Sequence, residues 1–203
     1  MLLAFDTSSA ACTVALFDDS GTVVVGGDDI IGRGHAERLV PMIAELMDGR
    51  RADQILVGVG PGSFTGIRVA IAAAHGLAIG WGAELRGMSS LALLAAGVPG
   101  EDTIAAAVSG GHGELFIQQF AGHIVEPESE LLNLPPGEAA TRTDARLVVG
   151  TGARQLVESR GWGEARDLWP SASNAMRLSQ SLRSLAARPV YARAPDARVP
   201  EAA

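Results

Sequence analysis

The stretch ILVGVGPGSFTGIR, residues 55–68, decides the fold expected for this chain. Its apolar beginning predicts a short buried strand at Ile55–Val59, and the glycines and proline that follow predict a tight turn. Ser63 stands where an N-cap residue opens a helix, and the apolar residues beyond it predict a helix from Phe64 to Ile79. A strand that turns through glycines into a helix is typical of an α/β fold.

The remaining strands and helices of residues 1–100 are predicted from the same kinds of sequence pattern. Strands are predicted at Leu2–Asp6, Thr13–Phe17, Thr22–Val25 and near Leu85, and helices at His35–Met47 and Ser89–Ala96. Short polar turns make the first three strands an antiparallel meander. The order βββαβα, with the later strands joined through helices, predicts a first lobe of the ribonuclease H-like kind.

Residues 101–203 are expected to form a smaller second lobe, a shortened version of the first. Strands are predicted at Ile104–Val108, Glu114–Phe120 and Leu147–Gly150, and helices at Ala153–Arg160 and Asn174–Ala187. The segment from Glu126 to Arg146 is rich in proline, acidic and small polar residues and is interpreted mainly as loop. The chain after Arg188 is interpreted as an extended tail because it carries three prolines.

Composition excludes several classes of chemistry. The chain of 203 residues is 47% hydrophobic and 19% charged, which is typical of a compact globular protein. It contains no lysine, so lysine Schiff bases and a Walker-type phosphate lysine are excluded. A net charge of −7 argues against binding nucleic acid without a basic partner. Cys12 is the single cysteine, so no disulfide or thiolate cluster is expected.

The opening residues and the apolar segments predict a cytoplasmic location. Met1 is followed by no basic region, and Asp6 interrupts the first apolar run. The longest uncharged stretch, residues 69–83, is shorter than a bilayer requires. We therefore expect no membrane association.

Two turns carry residues that could hold a phosphate or a metal ion. Asp6, Thr7 and Ser8 place a carboxylate and hydroxyls at a strand–strand turn, where they could bind phosphate and magnesium or only satisfy local backbone groups. Gly62 and Ser63 open the predicted helix, where free N–H groups could bind an anion or simply be capped. Both interpretations of each turn stay open. The four histidines show no metal-ligand spacing, and no catalytic residue is expected.

The predicted helix 64–79 has almost no polar face, so we expect it to be buried on all sides. One side of this helix would pack on the sheet, and another subunit or the second lobe would cover the other side. The first helix could join the same contact. The residues expected at a partner interface are Leu39, Met42, Ile43, Met47, Ile67, Ala70, Ile71, Ala74, His75 and Ala78.

Four segments together resemble the TsaB (YeaZ) family: LLAFDTSSAACTVALF, GHAERLVPMI, GVGPGSFTGIRVAIAAAHGLA and PVYARAPDARVP. The resemblance implies an actin-like ATPase (ASKHA) fold with two lobes. It also implies a heterodimer with TsaD through first-lobe helices, with TsaE as a further ATPase partner and self-association when the chain is alone. TsaD transfers a threonylcarbamoyl group to the adenosine next to the tRNA anticodon, at position 37, so tRNA would be met only through the complex.

Departures from the catalytic relative favour a non-catalytic role. The resemblance puts Ala10 and Ala11 where TsaD has an acidic pair, and Ser90 and Leu94 where it has two metal-binding histidines. We therefore expect a scaffold subunit that requires no cofactor and binds no metal. A residual ATPase or glycoprotease-like peptidase, ATP or ADP at the interface with TsaD, and a plain homodimer remain the alternatives.

Overall fold

The structure is a computed structural model that describes residues 1–190. The first sheet contains five strands: β1 (Leu2–Asp6), β2 (Ala11–Phe17), β3 (Val23–Ile30), β4 (Gln54–Gly58) and β5 (Glu84–Met88). β1, β2 and β3 form the predicted antiparallel meander, while β4 and β5 run parallel to β1, in the spatial order β3-β2-β1-β4-β5. This is the topology predicted for the first lobe.

Three helices accompany the first sheet: α1 (His35–Met47), α2 (Phe64–Trp81) and α3 (Ser90–Ala96). The predicted bounds of α1 are confirmed, and α2 continues to Trp81 because the chain first leaves the helical conformation at Gly82, whose φ is 68°. Ser63 caps α2 as predicted, since its side chain accepts a hydrogen bond from the Gly66 N–H.

The second sheet repeats the topology of the first. Its strands are β6 (Thr103–Ser109), β7 (Leu115–Ala121), β8 (Glu126–Pro127), β9 (Leu132–Leu134), β10 (Leu147–Val149) and β11 (Glu164–Arg166). β7 pairs antiparallel with β6 and with both β8 and β9, while β10 and β11 run parallel to β6. The helices here are α4 (Pro136–Ala139), α5 (Ala153–Arg160) and α6 (Gln180–Arg183). Two such sheets in tandem confirm the predicted α/β, actin-like fold with a reduced second lobe.

The segment from Glu126 to Arg146 is mainly loop, as predicted, although β8 and β9 within it pair with β7 and α4 follows them. One prediction for the second lobe is wrong. The helix predicted at Asn174–Ala187 is a 3-10 turn (Ala172–Arg177), an extended residue and the short α6. Tertiary hydrogen bonds replace the helical ones there, since the Ser179 N–H donates to the Val125 carbonyl.

The core lies on both faces of each sheet. α3 lies between the two sheets and is buried along its whole length, in one cluster that includes Leu56 from the first sheet and Ile104 from the second. α1 and α2 cover the opposite face of the first sheet, and α5 covers the opposite face of the second. Residues after α6 return to the first lobe, where Leu185 pairs with Gly87. The predicted extended tail lies, from residue 191 onward, outside the described residues.

α2 is buried on one face only in the described residues, so the second lobe does not supply the second covering that was one of the two expectations. Its inner face packs on the sheet through Ile67, Ala70, Ile71 and Ala74, whereas Ile79 is 84% exposed. By length and composition α2 also meets the criteria for a membrane span, with a mean hydropathy of 1.3. A core helix meets the same criteria, so this one helix is weak evidence for a membrane.

Candidate functional site

The turn after β1 is held tightly beneath the start of α2. The Thr7 hydroxyl donates a 2.7 Å hydrogen bond to the Gly66 carbonyl, and the Ser63 N–H donates one of 2.6 Å to the Ser8 carbonyl. A Cβ atom at Gly66 would lie 1.8 Å from the Thr7 carbonyl oxygen, and one at Gly62 would lie 2.2 Å from that of Ser8. Only glycine permits so close an approach, which explains the spacing of the glycines in this loop.

Asp6 is completely buried behind this turn, and its carboxylate is satisfied by the chain itself. One oxygen accepts hydrogen bonds of 2.7 Å from both the backbone N–H and the hydroxyl of Ser8, and the other accepts one from the Ser90 hydroxyl. A Cβ atom at Gly58 would lie 1.8 Å from the second oxygen. These contacts give Asp6 the role of joining β1, β4 and α3.

A cleft of about 270 Å³ opens between the two lobes, and we call it the interlobe cleft. The turns of the first lobe contribute Ser8, Ser9, Ala10, Pro61, Gly62 and Ser63. α3 contributes Ser90 and Leu94, and the second lobe contributes Val108, Ser109, Thr151, Trp169 and Pro170. The cleft therefore brings together the carboxyl ends of β1, β4, β6 and β10, where the sequence placed its phosphate-binding candidates.

The structure separates the five residues considered for a cofactor. Ser8, Gly62 and Ser63 line the interlobe cleft, whereas Asp6 and Thr7 lie behind it and do not. Sequence reasoning missed Thr151 and Trp169, the contributions of the second lobe. Each lies in a loop between elements, where no apolar period marks it, and only the closure of the two lobes brings it to the cleft.

The positions that the resemblance assigns to metal ligands also meet at this cleft. Ser90 and Leu94 lie one helical turn apart on α3, and Ala10 lies on the facing turn. The Ser90 hydroxyl is already engaged, because it donates to Asp6 and accepts from the Gly60 N–H at 3.1 Å. Within residues 1–190, no group of three or more histidine, cysteine or acidic side chains is arranged to hold a metal ion.

The ten residues expected at a partner interface fall mostly on the wrong face of their helices. Eight are buried in the chain's own core: Leu39, Met42, Ile43, Met47, Ile67, Ala70, Ile71 and Ala74. Apolar spacing marks the stripe that meets the sheet, so these side chains are already covered. His75 is exposed, with its Nε2 atom 3.3 Å from the Ala187 carbonyl, and Ala78 is partly exposed.

The outer faces of α1 and α2 carry the exposed apolar surface instead. Val40 is 55% exposed, and Phe64 and Ile79 are 63% and 84% exposed. On α2, Gly76 and Gly80 form a shallow strip, since a Cβ atom at either would have no neighbour within 4 Å. We call this the outer helix face, made of the exposed residues of α1 and α2.

Known proteins resemble this chain in sequence and in fold. The family model "TsaD: tRNA N6-adenosine threonylcarbamoyltransferase" matches residues 29–158. The tRNA threonylcarbamoyladenosine biosynthesis protein TsaB of Escherichia coli is 34% identical over 127 residues, which cover 59% of this chain and 54% of that protein. TsaB of Haemophilus influenzae is 32% identical over 126 residues, covering 58% and 52%. The match thus spans about half the length of these relatives.

Two structures from Pseudomonas aeruginosa extend the likeness over nearly the whole chain. YeaZ has a TM-score of 0.80 at 30% identity, with 94% of this chain and 98% of that chain covered. A protein described as similar to the peptidase YeaZ has a TM-score of 0.81 at 31% identity, with 95% and 99% covered. The chain therefore belongs to the TsaD family, and within it to the TsaB (YeaZ) proteins of tRNA threonylcarbamoyladenosine biosynthesis.

Proposed function

We propose that this chain is a non-catalytic scaffold subunit that binds TsaD and so supports threonylcarbamoyladenosine modification at position 37 of tRNA. The observation that carries the proposal is the outer helix face, which joins exposed apolar side chains to a strip of small residues. Exposed apolar side chains beside such a strip are typical of contacts with other proteins. The partner expected from the family is TsaD.

The shape of the outer helix face suits a helix of the partner. Ala72, Gly76 and Gly80 are exposed and follow one another at intervals of four residues along α2. Such a row lets a second helix approach closely, and the exposed Val40 and Ile79 add apolar surface on the same two helices. A partner seated here would cover the part of α2 that the chain itself leaves exposed.

The interlobe cleft supports the non-catalytic part of the proposal. Its lining side chains are all uncharged, and Asp6 is engaged behind it by Ser8 and Ser90. General acid–base catalysis and metal-assisted hydrolysis both require titratable or ligating groups at the reacting atoms. A residual ATPase or peptidase activity would have to work without them, and turnover of ATP that is lost in Asp6→Ala would revive that alternative.

The remaining parts of the proposal follow from charge and family. A chain of net charge −7 would contact tRNA through the complex rather than alone. The modification of tRNA would take place in the cytoplasm. TsaE would join as the ATPase of the system. No cofactor is required for the scaffold role, and self-association through the same outer helix face would occur in the absence of TsaD.

The decisive experiment measures complex formation with the cognate TsaD by size-exclusion chromatography with light scattering. Gly76→Leu would fill the strip on the outer helix face, and Gly137→Leu on α4 is the matched control, since both sites are exposed and open to a Cβ atom. We expect a 1:1 complex for the unmodified chain and for Gly137→Leu, and loss of it for Gly76→Leu.

Three results would contradict the proposal. A complex unaffected by Gly76→Leu would move the interface elsewhere. A homodimer that TsaD does not displace would favour a plain homodimeric protein. Full transferase activity of TsaD without this chain would remove the scaffold role altogether.

A further inference from the structure

The interlobe cleft has features of a ligand site that a scaffold role does not use. Three of its hydroxyl oxygens accept a hydrogen bond from a backbone N–H group: Ser9 from Ala11 at 3.1 Å, Ser63 from Gly66 at 3.2 Å and Thr151 from Ser109 at 3.2 Å. Within residues 1–190 none of these three hydroxyls donates a hydrogen bond to the protein. Each therefore retains its own proton for a group in the cleft.

The rest of the cleft lining is apolar and aromatic. Leu94, Val108, Pro61 and Pro170 contribute aliphatic surface, and the Trp169 indole is 41% exposed. Aromatic side chains favour stacked or edge-on contact with planar rings. A few hydrogen-bonding groups set into a mainly apolar lining are typical of small-molecule sites.

We propose that the interlobe cleft binds a small, uncharged, planar molecule that presents hydrogen-bond acceptors to the hydroxyls of Ser9, Ser63 and Thr151 and packs against Trp169. A volume of about 270 Å³ lies just below the usual range of ligand pockets, which starts at about 300 Å³, so a ligand of one or two rings is the largest expected. The class includes aromatic amides and free heterocyclic bases. This inference does not depend on the binding of TsaD.

Anions are disfavoured for two reasons. No positively charged side chain lines the cleft, so transfer of an anion from water would be poorly compensated. The start of α2, which would otherwise attract an anion, has its Gly66 N–H directed to Ser63 and its Ser63 N–H directed to the Ser8 carbonyl. The cleft should therefore distinguish a neutral ligand from its anionic counterpart.

The test uses three matched pairs of probes: nicotinamide with nicotinate, uracil with orotate, and benzamide with benzoate. Binding to the full chain is measured by isothermal titration calorimetry. We expect at least one neutral member to bind with a Kd below about 1 mM, and at least about tenfold more tightly than its anionic partner. Failure of all three neutral probes to bind below that concentration would overturn the proposal, and so would equal or tighter binding of the anions.

Two tryptophan variants locate the binding. Trp169→Ala should weaken the neutral probe at least about tenfold, whereas Trp162→Ala, at an equally exposed tryptophan outside the cleft, should leave it unchanged. Thr151→Val removes one donor and should weaken binding with a smaller effect. Circular dichroism and the Tm of each variant confirm that it folds. Equal weakening by both tryptophan variants would place the ligand elsewhere and overturn the proposal.

Discussion

The Ser90 hydroxyl donates a 2.5 Å hydrogen bond to the buried Asp6 carboxylate and accepts another from the Gly60 N–H. One small side chain at the start of α3 thus ties together the end of β1 and the loop that leads into α2. The same residue occupies a position where the family resemblance places a metal ligand in TsaD. The position that the resemblance assigns to a metal ligand in TsaD therefore holds, in this chain, a residue that links two structural elements.

Ser90→Ala should destabilise the protein, because it leaves a buried carboxylate oxygen and the Gly60 N–H each short of a partner. Hydrogen bonds to buried charged groups contribute about 1.5–3 kcal/mol, and we expect a loss of about 2 kcal/mol in the free energy of unfolding. Denaturation by urea measures it. Ser20→Ala is the control, since Ser20 donates the same kind of bond to Asp18 at an exposed turn and should matter little. If both substitutions lowered the free energy of unfolding equally, burial of Asp6 would not be the cause of the loss.

Two glycine substitutions on α2 should have opposite effects on the stability of the isolated chain. Gly66→Ala puts a Cβ atom against the Thr7 carbonyl and should lower the free energy of unfolding by about 3 kcal/mol or more. Gly76→Ala lies in open space on the same helix and should raise it by about 0.5–1 kcal/mol, because alanine loses less backbone entropy. Thermal and urea unfolding measure both. A stable Gly66→Ala variant would contradict the close packing of the glycine loop.

Cys12 should be unreactive in the folded protein. Burial raises the pKa of its thiol to about 11, so that at pH 8 only about one molecule in a thousand carries the thiolate. We expect no reaction with a disulfide reagent at pH 8 until guanidinium unfolds the chain, and one thiol per chain afterwards. Fast labelling of the native protein would contradict the buried position of Cys12.

The same shift has a consequence for stability at alkaline pH. The folded state prefers the neutral thiol, so its contribution is complete below the ordinary thiol pKa and is lost as pH rises toward 11. The free energy of unfolding should therefore fall between about pH 9 and pH 11. Cys12→Ala should reduce the slope over that interval. An unchanged slope would assign the effect to other groups.

Thr13→Val should weaken the contact between the first sheet and the 3-10 turn at Ala172–Arg177. The buried Thr13 hydroxyl accepts a 2.7 Å hydrogen bond from the Ala172 N–H and donates to Asp28. Valine keeps the volume but leaves the Ala172 N–H unsatisfied, so we expect a loss of about 1–3 kcal/mol. Thr22→Val at an exposed turn is the control. Hydrogen exchange at Ala172 supplies a second measurement, since its protection should fall in Thr13→Val alone.

The predictable parts of the fold are those that local sequence sets. α1 begins and ends where its apolar spacing indicated, and the Ser63 cap formed because an N-cap depends only on the next three residues. The segment from Asn174 to Ala187 was assigned wrongly for the opposite reason. Its backbone also forms hydrogen bonds with Val125 and Gly87, residues far away in the chain, which no local pattern reveals.

The candidate site, like the fold, could be predicted from the sequence only where local residues determine it. The sequence identified the turn at Ser8 and the glycine loop at Ser63, because both carry unusual local chemistry. It could not identify Thr151 or Trp169, which reach the interlobe cleft only through the closure of two lobes. It also placed Leu39 and Ile71 at a partner interface, although both are buried in the chain's own core. The spacing of apolar residues indicates which face of a helix is buried, but not which element covers that face.

The sequence by itself determined the α/β order of elements, the glycine loop and the resemblance to TsaB, because spacing and turn chemistry act over a few residues. The tertiary structure alone decided which face of α2 meets the sheet and which remains exposed. It also decided that Asp6 is satisfied by Ser8 and Ser90 rather than left for a ligand. Burial and hydrogen-bond satisfaction are properties of what surrounds a side chain, and those surroundings come from distant parts of the chain.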